Sequence, residues 1–348
     1  MSKIALVTLD YPPKQGGVAR YLYNLVRASQ GMIDVFAEQT VFMQPTWPRW
    51  LPTISWMRRL RKQGYDWILV SHVLPLGTAA WLARLTGGAR YAVLLHGLDI
   101  RLAQSTFLKS WLTRRILRNA DAIIANSSFT AEEIRRFDLT LRPHIVTPGV
   151  EPMVYSPITM TTRQQVHIPE DSQVILSVCR LVPRKGIDRL IDALPSLPKS
   201  VRLVVVGDGL DRERLQRLSE SVRDQVLFVP QATDEERNAW YHAADVFALP
   251  VREEKGDVEG FGIVYLEAAM AGLPVVAGKS GGAVEAVLDG MTGILVDPND
   301  RSALVEALKR LIQEPALRKQ YGEQGRARAL RDFRWEDRWQ EVRKILHI

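Results

Sequence analysis

Residues 174–206, VILSVCRLVPRKGIDRLIDALPSLPKSVRLVVV, show the pattern that decides the fold. Two short apolar runs, VILSV and RLVVV, flank a segment whose apolar residues recur at helical spacing. Apolar runs of this length are typical of strands buried on both faces, and the segment between them is long enough for a crossover helix. We therefore predict a right-handed β-α-β unit with parallel strands.

The same alternation runs through the whole chain. It begins at KIALVTL, stops within residues 150–173, which are rich in Pro, Thr and Gln, and then resumes. A chain of 348 residues exceeds the size at which a single hydrophobic core stops growing. We predict an α/β protein with two Rossmann-like, doubly wound domains, residues 1–155 and 156–330, that face each other across a cleft. Residues 331–348 are expected to form an amphipathic helix that packs back on the first domain.

Composition is that of an ordinary globular protein. Hydrophobic residues make up 46% and charged residues 24% of the chain, and Cys179 is its single cysteine. One cysteine excludes an internal disulfide and fits a reducing compartment. The start, MSKIALVTLDYPP, is expected to be a first strand and not a signal peptide, and no stretch approaches the roughly 20 apolar residues of a membrane span. We predict a cytoplasmic protein, with peripheral attachment to the cytoplasmic face of the membrane as an option.

The net charge of +7 is unevenly distributed. Residues 1–155 hold 19 Lys and Arg against 10 Asp and Glu, whereas the remaining residues are slightly acidic. In residues 46–63 and 107–119, aromatic and basic side chains are interleaved, which suits an anionic membrane surface and a lipid acceptor. Half-buried helices with solvated basic faces are the alternative. We find no nucleic-acid-binding module and expect no nucleic-acid partner. The predicted acceptor or membrane contacts are Trp56, Arg58, Arg59, Arg61, Lys62 and Trp111.

Ligands of open parallel sheets collect beyond the carboxyl ends of the strands, so the loops that follow the strands matter most. Gly16 and Gly17 follow the first strand and open a helix, where backbone N–H groups bind anions; a tight turn is the alternative. His96 ends another predicted strand and is followed by Asp99. It is either a hydrogen-bonded core histidine or a residue facing the cleft.

The loop after VILSV carries cations. Arg180 and Lys185 lie five positions apart and form a fork suited to a diphosphate, with Arg supplying bidentate geometry and Lys a point charge. Arg184, beside them, is expected to be solvated. Cys179 is expected to be a small buried residue and not a nucleophile.

The stretch DVEGFGIVYLEA, residues 257–268, carries two carboxylates. Glu259 lies in the loop before a predicted helix, and Glu267 lies about two turns inside that helix. The N–H groups at the helix start point outward and suit a phosphate. A carboxylate on each side of an anion site fits a ligand with hydroxyl groups on both sides of a phosphate, as in a nucleotide sugar.

Together, RLVPRKG, DVEGFGIVYLEA and GLPVVAGKSGGAVE resemble the donor-binding half of glycosyltransferase family 4, whose members are retaining enzymes of the GT-B fold. YPPKQGGVARYL and HGLD extend the resemblance to the first half. Within the family, the chain is most similar to the phosphatidylinositol mannosyltransferases that act on the monomannosylated lipid. The resemblance implies a hexosyltransferase that moves mannose from GDP-mannose to a hydroxyl of a lipid or lipid-linked acceptor. It also implies a front-face, retaining mechanism. Because the six histidines are scattered and a DxD motif after a strand is absent from the sequence, we predict that no metal or cofactor is required.

The resemblance assigns a role to each motif residue. Glu259 would bind the sugar hydroxyls, Glu267 the ribose diol, and His96 the transferred sugar. Arg180 and Lys185 would bind the diphosphate and stabilise the charge on the leaving group. The implied catalytic residues are His96, Arg180, Lys185 and Glu259, and the other implied donor-binding residues are Gly16, Gly17, Gly260, Phe261, Gly262, Ile263, Val264, Glu267, Val229 and Gln231.

Other functions remain open at this point. A glycosyltransferase that uses UDP-glucose or a UDP-N-acetylhexosamine in polysaccharide or small-molecule glycoside synthesis fits the same carboxylates. A non-catalytic sugar-nucleotide binding protein is the non-enzyme alternative. A dehydrogenase requires GxGxxG after the first strand, and GVARYL does not match it. The sequence leaves the oligomeric state undecided.

Overall fold

The computed structural model describes residues 3–14, 16–37, 50–152, 163–164 and 166–348. The chain divides into two compact units. Unit 1 comprises Met1–Gly149 together with Trp335–Ile348, and unit 2 comprises Val150–Arg334. The sequence placed the two boundaries at 155/156 and 330/331, so the structure moves them by a few residues in each case.

A parallel β-sheet forms the centre of unit 1. In the part of the unit that the structure describes, the strand order is β2-β1-β3-β4-β5-β6, and every neighbouring pair is parallel. The order reverses between β1 and β3, which makes this the topological switch point of the sheet. The strands are β1 (Lys3–Val7), β2 (Ile33–Phe36), β3 (Tyr65–Val70), β4 (Arg90–Leu95), β5 (Ala122–Ala125) and β6 (His144–Ile145).

Helices connect these strands. Two of them, Leu51–Lys62 and Phe107–Arg118, lie within the segments that were predicted to contact a membrane. Residues 46–49 of the first segment, including Trp47, lie outside the described residues. The helices are α1 (Gly17–Ala28), α2 (Leu51–Lys62), α3 (Thr78–Leu85), α4 (Leu98–Ala103), α5 (Phe107–Arg118) and α6 (Ser128–Phe137).

Unit 2 contains a second parallel sheet. Its described strands follow the order β12-β11-β10-β7-β8-β9. The order reverses between β7 and β10, which pair directly, with Val246 opposite Ile175. The strands are β7 (Val174–Val178), β8 (Arg202–Val206), β9 (Val226–Val229), β10 (Val246–Leu249), β11 (Val275–Gly278) and β12 (Gly293–Val296).

The strands of this second sheet are almost continuously apolar, and β7, β10 and β11 are buried at every position, whereas the edge strand β9 is half-buried throughout. Across the whole described chain, no helix is long and apolar enough to cross a membrane. The helices of unit 2 are α7 (Ile187–Ala193), α8 (Arg212–Leu218), α9 (Asp234–Ala243), α10 (Ile263–Met270), α11 (Ala283–Ala286), α12 (Arg301–Gln313) and α13 (Pro315–Asp332).

The chain returns to unit 1 for its last helix, α14 (Trp335–Leu346). The buried side chains of this helix include Trp335, Trp339 and Val342, and the helix packs on α1. The ring of Tyr21 on α1 meets the ring of Trp335 edge-on at 5.4 Å. A Cβ at Gly149 would lie 2.8 Å from the Trp335 ring, so this contact leaves no space for a side chain there.

Two glycines on α13 face the α10 region at different distances. A Cβ at Gly322 would lie 1.9 Å from the carbonyl oxygen of Gly272, which follows α10. A Cβ at Gly325, one turn later, would first meet Ala269 at 3.4 Å. Backbone approaches backbone at Gly322, whereas Gly325 has room for a methyl group.

Alanine at these two positions tests the close approach. We expect Gly322→Ala to lower the free energy of unfolding by about 1–3 kcal/mol, because the helix must move away from the end of α10. Gly325→Ala is the matched control on the same helix. It should keep or raise stability, since Ala is favoured over Gly in a helix by about 1 kcal/mol. Urea denaturation of both variants measures the difference, and equal effects would contradict this packing.

Candidate functional site

The predicted donor residues of unit 2 lie at the switch point of its sheet. Arg180 and Lys185 follow β7, and Glu259 follows β10, the strand beside it. The carboxyl ends of parallel strands meet at one edge of a sheet, so the two loops lie together. This is the position where open α/β sheets bind ligands.

A buried cluster of charges joins the two loops. Lys185 Nζ and Arg184 Nη1 both contact Oε2 of Glu259, the latter at 2.7 Å. Arg184 Nε lies 2.8 Å from Oδ2 of Asp257. The side chains of Lys185, Arg184 and Glu259 are each 11–12% exposed. Two cations and two carboxylates therefore neutralise one another, and all but the 38% exposed side chain of Asp257 are largely shielded from solvent.

The two cations decide the ionisation of Glu259. Burial raises the pKa of the Glu259 carboxyl, but Lys185 and Arg184 outweigh that effect and hold the pKa at about 2. The carboxylate is therefore charged at neutral pH. No hydrogen bond to its second oxygen, Oε1, is found within the described part of the chain.

The structure changes the roles of the arginines. The expectation that Arg184 is solvated was wrong, because the 3-10 turn Pro183–Lys185 directs its side chain to Asp257 and Glu259. Arg180 is exposed, and none of the ion pairs among the described residues includes it. The predicted fork of Arg180 and Lys185 is therefore not assembled in this state, in which Lys185 is bound to Glu259.

Glycines fix the backbone around Glu259. Gly262 caps α10 with φ of 90°, and a Cβ there would lie 2.5 Å from the Tyr265 ring. The hydroxyl of Tyr265 donates to the carbonyl of Leu249 at the end of β10, 2.8 Å away. Only glycine satisfies both the positive φ and the missing space.

The amides at the start of α10 remain available. The carbonyl of Glu259 is already engaged, since it accepts from the N–H of Gly282 at 2.9 Å. For residues 261–264, the structure gives no backbone acceptor within the part of the chain that it describes. These N–H groups therefore mark an anion-binding position beside Glu259. The residues that contribute them are Phe261, Gly262, Ile263 and Val264, directly after the half-buried Gly260.

Glu267 has a different environment. It is 5% exposed inside α10 and accepts a hydrogen bond from the hydroxyl of Tyr241 on α9 at 2.8 Å. Val229 ends β9, the edge strand of the sheet, and Gln231 follows it in an exposed position. Glu259 thus contacts cations, whereas Glu267 accepts a hydrogen bond from a phenol, so the two carboxylates have different chemical environments.

In unit 1, Gly16 and Gly17 begin α1. Gly16 caps the helix with φ of 139°, and a Cβ at either glycine would meet nothing within 4 Å. Both residues are exposed. The helix start is therefore open to a ligand, and the N–H groups of its first residues have no backbone acceptor among the described residues.

His96 follows β4 at the same edge of the sheet. Its ring meets the Tyr21 ring edge-on at 5.2 Å, and its backbone N–H donates to Oδ2 of Asp99 at 3.0 Å. Its Nε2 is buried without a hydrogen-bond partner in the described chain. Burial lowers the pKa of the His96 imidazole to about 3, so the ring is neutral at physiological pH.

A polar chain beside His96 was not predicted from the sequence. Oγ1 of Thr8 lies 2.7 Å from Oγ of Ser71, and Ser71 Oγ lies 2.8 Å from Nδ1 of His72. Nε2 of His72 lies 3.1 Å from Oδ2 of Asp10. The signal was present in DWILVSH, where polar residues follow a buried strand at the edge that carries His96. Asp10 and His72 lie 62 positions apart, so only the strand order reveals their contact.

A cavity of about 400 Å³ lies at the opposite edge of the unit 1 sheet. Its lining includes Trp67, Arg90, His144 and Lys344, and the guanidinium of Arg90 stacks on Trp67 at 4.5 Å. Trp67, Arg90 and His144 stand at or near the amino ends of strands, away from the loops that carry His96 and Gly16, and Lys344 lies on α14. We assign it no part in the site. Among the described residues, no group of three or more His, Cys, Asp or Glu side chains could hold a metal ion.

Acid unfolding tests the charge cluster. A carboxyl whose pKa is about 2 in the folded protein, against an ordinary value of 4.5, stabilises the fold above pH 4.5 and loses this effect as the pH falls through 2. Between pH 5 and pH 2 the wild type should therefore lose on the order of 3 kcal/mol more unfolding free energy than Glu259→Gln. Urea denaturation at a series of pH values measures this.

At pH 7 the same variant should be less stable than the wild type, because two buried cations lose their shared partner. The two stability curves then converge toward pH 2. Glu306→Gln removes one exposed carboxyl group on α12 and serves as the control, whose curve should follow the wild type. Parallel curves for the wild type and Glu259→Gln would contradict the assignment.

Comparison with known protein families gives two adjacent matches. Residues 15–153 match glycosyltransferase family 4, and residues 159–328 match the family described as glycosyl transferases group 1. The second match contains the whole charge cluster and α10, and the first contains the α1 start and His96.

Similar proteins cover almost the whole chain. A GDP-mannose-dependent alpha-(1-6)-phosphatidylinositol monomannoside mannosyltransferase from Mycolicibacterium smegmatis is 34% identical over 98% of this chain and 97% of its own. A GDP-mannose-dependent monoacylated alpha-(1-6)-phosphatidylinositol monomannoside mannosyltransferase from Corynebacterium glutamicum is 32% identical over 99% and 97%. The solved structure of sucrose-phosphate synthase from Thermosynechococcus elongatus superposes with a TM-score of 0.83 at 25% identity, over 100% of this chain and 98% of that one.

These matches extend across both units, and the two doubly wound sheets have the GT-B architecture. The residues that match the group 1 family, 159–328, include the charge cluster and the N–H groups at the start of α10. The chain therefore belongs to the group 1 and family 4 glycosyltransferases of the GT-B fold, and it is a hexosyltransferase.

Proposed function

We propose that the protein transfers mannose from GDP-mannose to a hydroxyl of a mannosylated phosphatidylinositol or a closely related lipid, with retention of the anomeric configuration and without a metal ion. The observation that carries the proposal is the 34% identity to a GDP-mannose-dependent phosphatidylinositol monomannoside mannosyltransferase, which extends over 98% of this chain. The match includes both units, and therefore the residues of the donor motif as well as those around His96.

The geometry of unit 2 supports binding of a nucleotide sugar. Lys185 and the open amides of α10 supply positive charge for the diphosphate at the switch point of the sheet. This supports metal independence, because protein groups can neutralise the charge that develops on the leaving diphosphate. Glu259, with Oε1 available, suits the sugar hydroxyls, and Glu267 with Tyr241 suits the ribose diol.

The proposed reaction is a front-face substitution. The acceptor oxygen forms a bond to the anomeric carbon, the bond from that carbon to the phosphate oxygen breaks, and the acceptor proton passes to the departing phosphate. Glu259 is not assigned the role of nucleophile, because Arg184 holds its Oε2 and its Oε1 is assigned to the sugar hydroxyls. Burial keeps the imidazole of His96 neutral, and the resemblance assigns this ring to the transferred sugar, so the protein is assigned orientation and electrostatic stabilisation.

An exposed apolar surface in unit 1 supports a lipid acceptor. Four large apolar side chains at the end of α4 and the start of α5 are exposed by 44% to 87%. They follow His96 directly in sequence, at the carboxyl edge of the sheet. Exposed apolar groups this close together mark an interaction site. We call this surface the apolar tip, and it consists of Leu102, Phe107, Leu108 and Trp111.

Basic side chains accompany the apolar tip, and this charge favours an anionic membrane as its partner. The guanidinium of Arg115 lies 5.7 Å from the Trp111 ring, and Lys109 is exposed in the first turn of α5. Aromatic and aliphatic groups with adjacent cations bind at the headgroup boundary of anionic bilayers. We therefore propose that unit 1 docks peripherally on the membrane that holds the acceptor.

The predicted membrane residues of α2 contribute unequally to this proposal. Trp56 is half-buried, and its ring meets Phe36 edge-on at 5.0 Å, so it belongs to the core of unit 1. Arg58, Arg59 and Lys62 are exposed and add positive charge. Arg61 is exposed too, but it donates to the carbonyl of Gly88 at 3.2 Å.

A transfer assay tests the proposed activity. The purified protein is supplied with GDP-mannose, UDP-glucose or UDP-N-acetylglucosamine and with phosphatidylinositol monomannoside in vesicles. We expect transfer from GDP-mannose with an α-linked product, and no loss of rate after removal of divalent metals by EDTA. Lys185→Ala should lower kcat/KM by about 10²–10³, the usual effect of removing a group that stabilises transition-state charge.

Lys199→Ala, which removes an exposed lysine of unit 2, is the control and should keep the wild-type rate. Transfer from a UDP-sugar alone would overturn the proposed donor, and a β-linked product would overturn retention. Binding of GDP-mannose without turnover on any acceptor lipid would favour a binding protein.

Vesicle sedimentation tests the apolar tip. Phe107→Ser with Leu108→Ser should weaken binding to vesicles that contain phosphatidylinositol by about tenfold or more, because two apolar side chains no longer enter the bilayer. Leu139→Ser is the matched control, since Leu139 is 79% exposed in the same unit but lies outside the apolar tip. It should bind as the wild type does. Equal binding of the double variant and the wild type would contradict the docking surface.

A further inference from the structure

The charge cluster poses a problem for donor binding. Lys185, which is assigned to the diphosphate, contacts Oε2 of Glu259 in the present state. A diphosphate carries several negative charges and attracts the Lys185 ammonium away from Glu259. The Glu259 side chain is only 11% exposed, so its carboxylate cannot rely on water once Lys185 leaves. A buried charge without a partner is strongly unfavourable, so a second cation is required.

Arg184 meets that requirement. Its Nη1 contacts the same Oε2 of Glu259 at 2.7 Å, independently of Lys185. Its Nε lies 2.8 Å from Oδ2 of Asp257, an ion pair without the geometry of a hydrogen bond. The guanidinium remains charged at any accessible pH and presents donors in a fixed fork, which suits two carboxylates at once. Arg184 can therefore hold Glu259 while Lys185 changes partner.

The surrounding backbone keeps Arg184 in place. Its carbonyl accepts from the N–H of Arg252 at 2.8 Å. Arg252 in turn makes a bidentate pair with Asp188 at the start of α7, at 2.9 and 3.1 Å. Glu254 and Asp257 exchange backbone hydrogen bonds, which closes the loop that carries Glu259. The loop and the Arg184 turn are thus fixed to each other before any ligand arrives.

We propose that Arg184 is a positioning residue that keeps Glu259 charge-compensated, so that Lys185 can exchange Glu259 for the diphosphate of the donor. The inference rests on the proposed function, because it takes a nucleoside diphosphate as the ligand of Lys185. In this role Arg184 acts through Glu259 and Lys185, and it is assigned no contact with the substrate or the leaving group.

Calorimetric titration with GDP, and in parallel with UDP, tests the exchange. Arg184→Met keeps the length of the side chain but leaves Glu259 with Lys185 as its single cation, so Lys185 stays engaged. We expect the Kd of Arg184→Met for the nucleoside diphosphate to rise by about 10- to 100-fold. This rise corresponds to the loss of one charged hydrogen bond of about 1.5–3 kcal/mol. Lys185→Met should show a similar loss.

The double variant Arg184→Met with Glu259→Gln separates exchange from simple structural damage. Removal of the carboxylate charge frees Lys185, so affinity for the nucleoside diphosphate should return to within about threefold of the wild type, a difference below 1 kcal/mol. A merely structural role of Arg184 predicts no recovery. Arg310→Met, which removes an exposed arginine paired with Glu314 at the end of α12, is the control and should bind as the wild type does.

Two results would overturn the inference: unchanged affinity in Arg184→Met, or no recovery in the double variant. Arg184→Lys provides a second variant in case Arg184→Met folds poorly, and thermal unfolding of each protein identifies that case. Lys keeps one cation on Glu259, so its loss of affinity should be smaller than that of Met. Failure of the wild type to bind either GDP or UDP would instead remove the donor site itself, and with it the proposed function.

Discussion

A carboxylate that is shut away from water stays charged only where cations hold it, and this constraint organises unit 2. Glu259 comes from the loop after β10, whereas Lys185 and Arg184 come from the loop after β7. These loops are far apart in sequence. They meet because the sheet reverses its strand order between β7 and β10. Strand order therefore brings the opposite charges together, and no single motif contains the site.

Close backbone contacts make this site rigid. A Cβ at Gly186 would lie 2.2 Å from the carbonyl of Pro250, and one at Gly281 would lie 2.2 Å from the carbonyl of Glu259. Each contact ties one of the two loops to its neighbour. Charges held on a fixed backbone lose little freedom when a ligand binds, which is the basis of electrostatic preorganisation. The glycines therefore allow the close contacts that hold the charged loops in place, in addition to forming local turns.

The sequence was sufficient for the architecture and for the choice of loops, because periodicity reports burial directly. Apolar runs such as VILSV and DVFAL became strands of one parallel sheet, and the carboxyl ends of these strands carry the predicted residues. It was insufficient for side-chain direction. Arg180 and Arg184 look alike in RLVPRKG, but a 3-10 turn at Pro183–Lys185 buries one and leaves the other exposed.

Pairings across long sequence distances were the second limit. The contact of Asp10 with His72 requires β1 and β3 to be neighbours, and spacing within a motif carries no such information. The same holds for the ring beside His96, because Tyr21 on α1 contacts His96 and also Trp335 of the last helix. A sequence motif names the histidine, but its burial in the folded chain keeps the imidazole neutral.

The two units use positive charge in different ways. Several arginines of unit 2 are paired with carboxylates, among them Arg163 with Asp245 and Arg252 with Asp188. In residues 1–155, 19 cations face only 10 carboxylates, so the exposed charges of α2 have too few partners and project into solvent. Solvent-exposed charges act over about 8 Å at physiological ionic strength and are screened by salt, whereas buried pairs are screened far less. The proposed attraction of unit 1 to an anionic surface should therefore weaken as salt rises, whereas the buried ion pairs of unit 2 should change little.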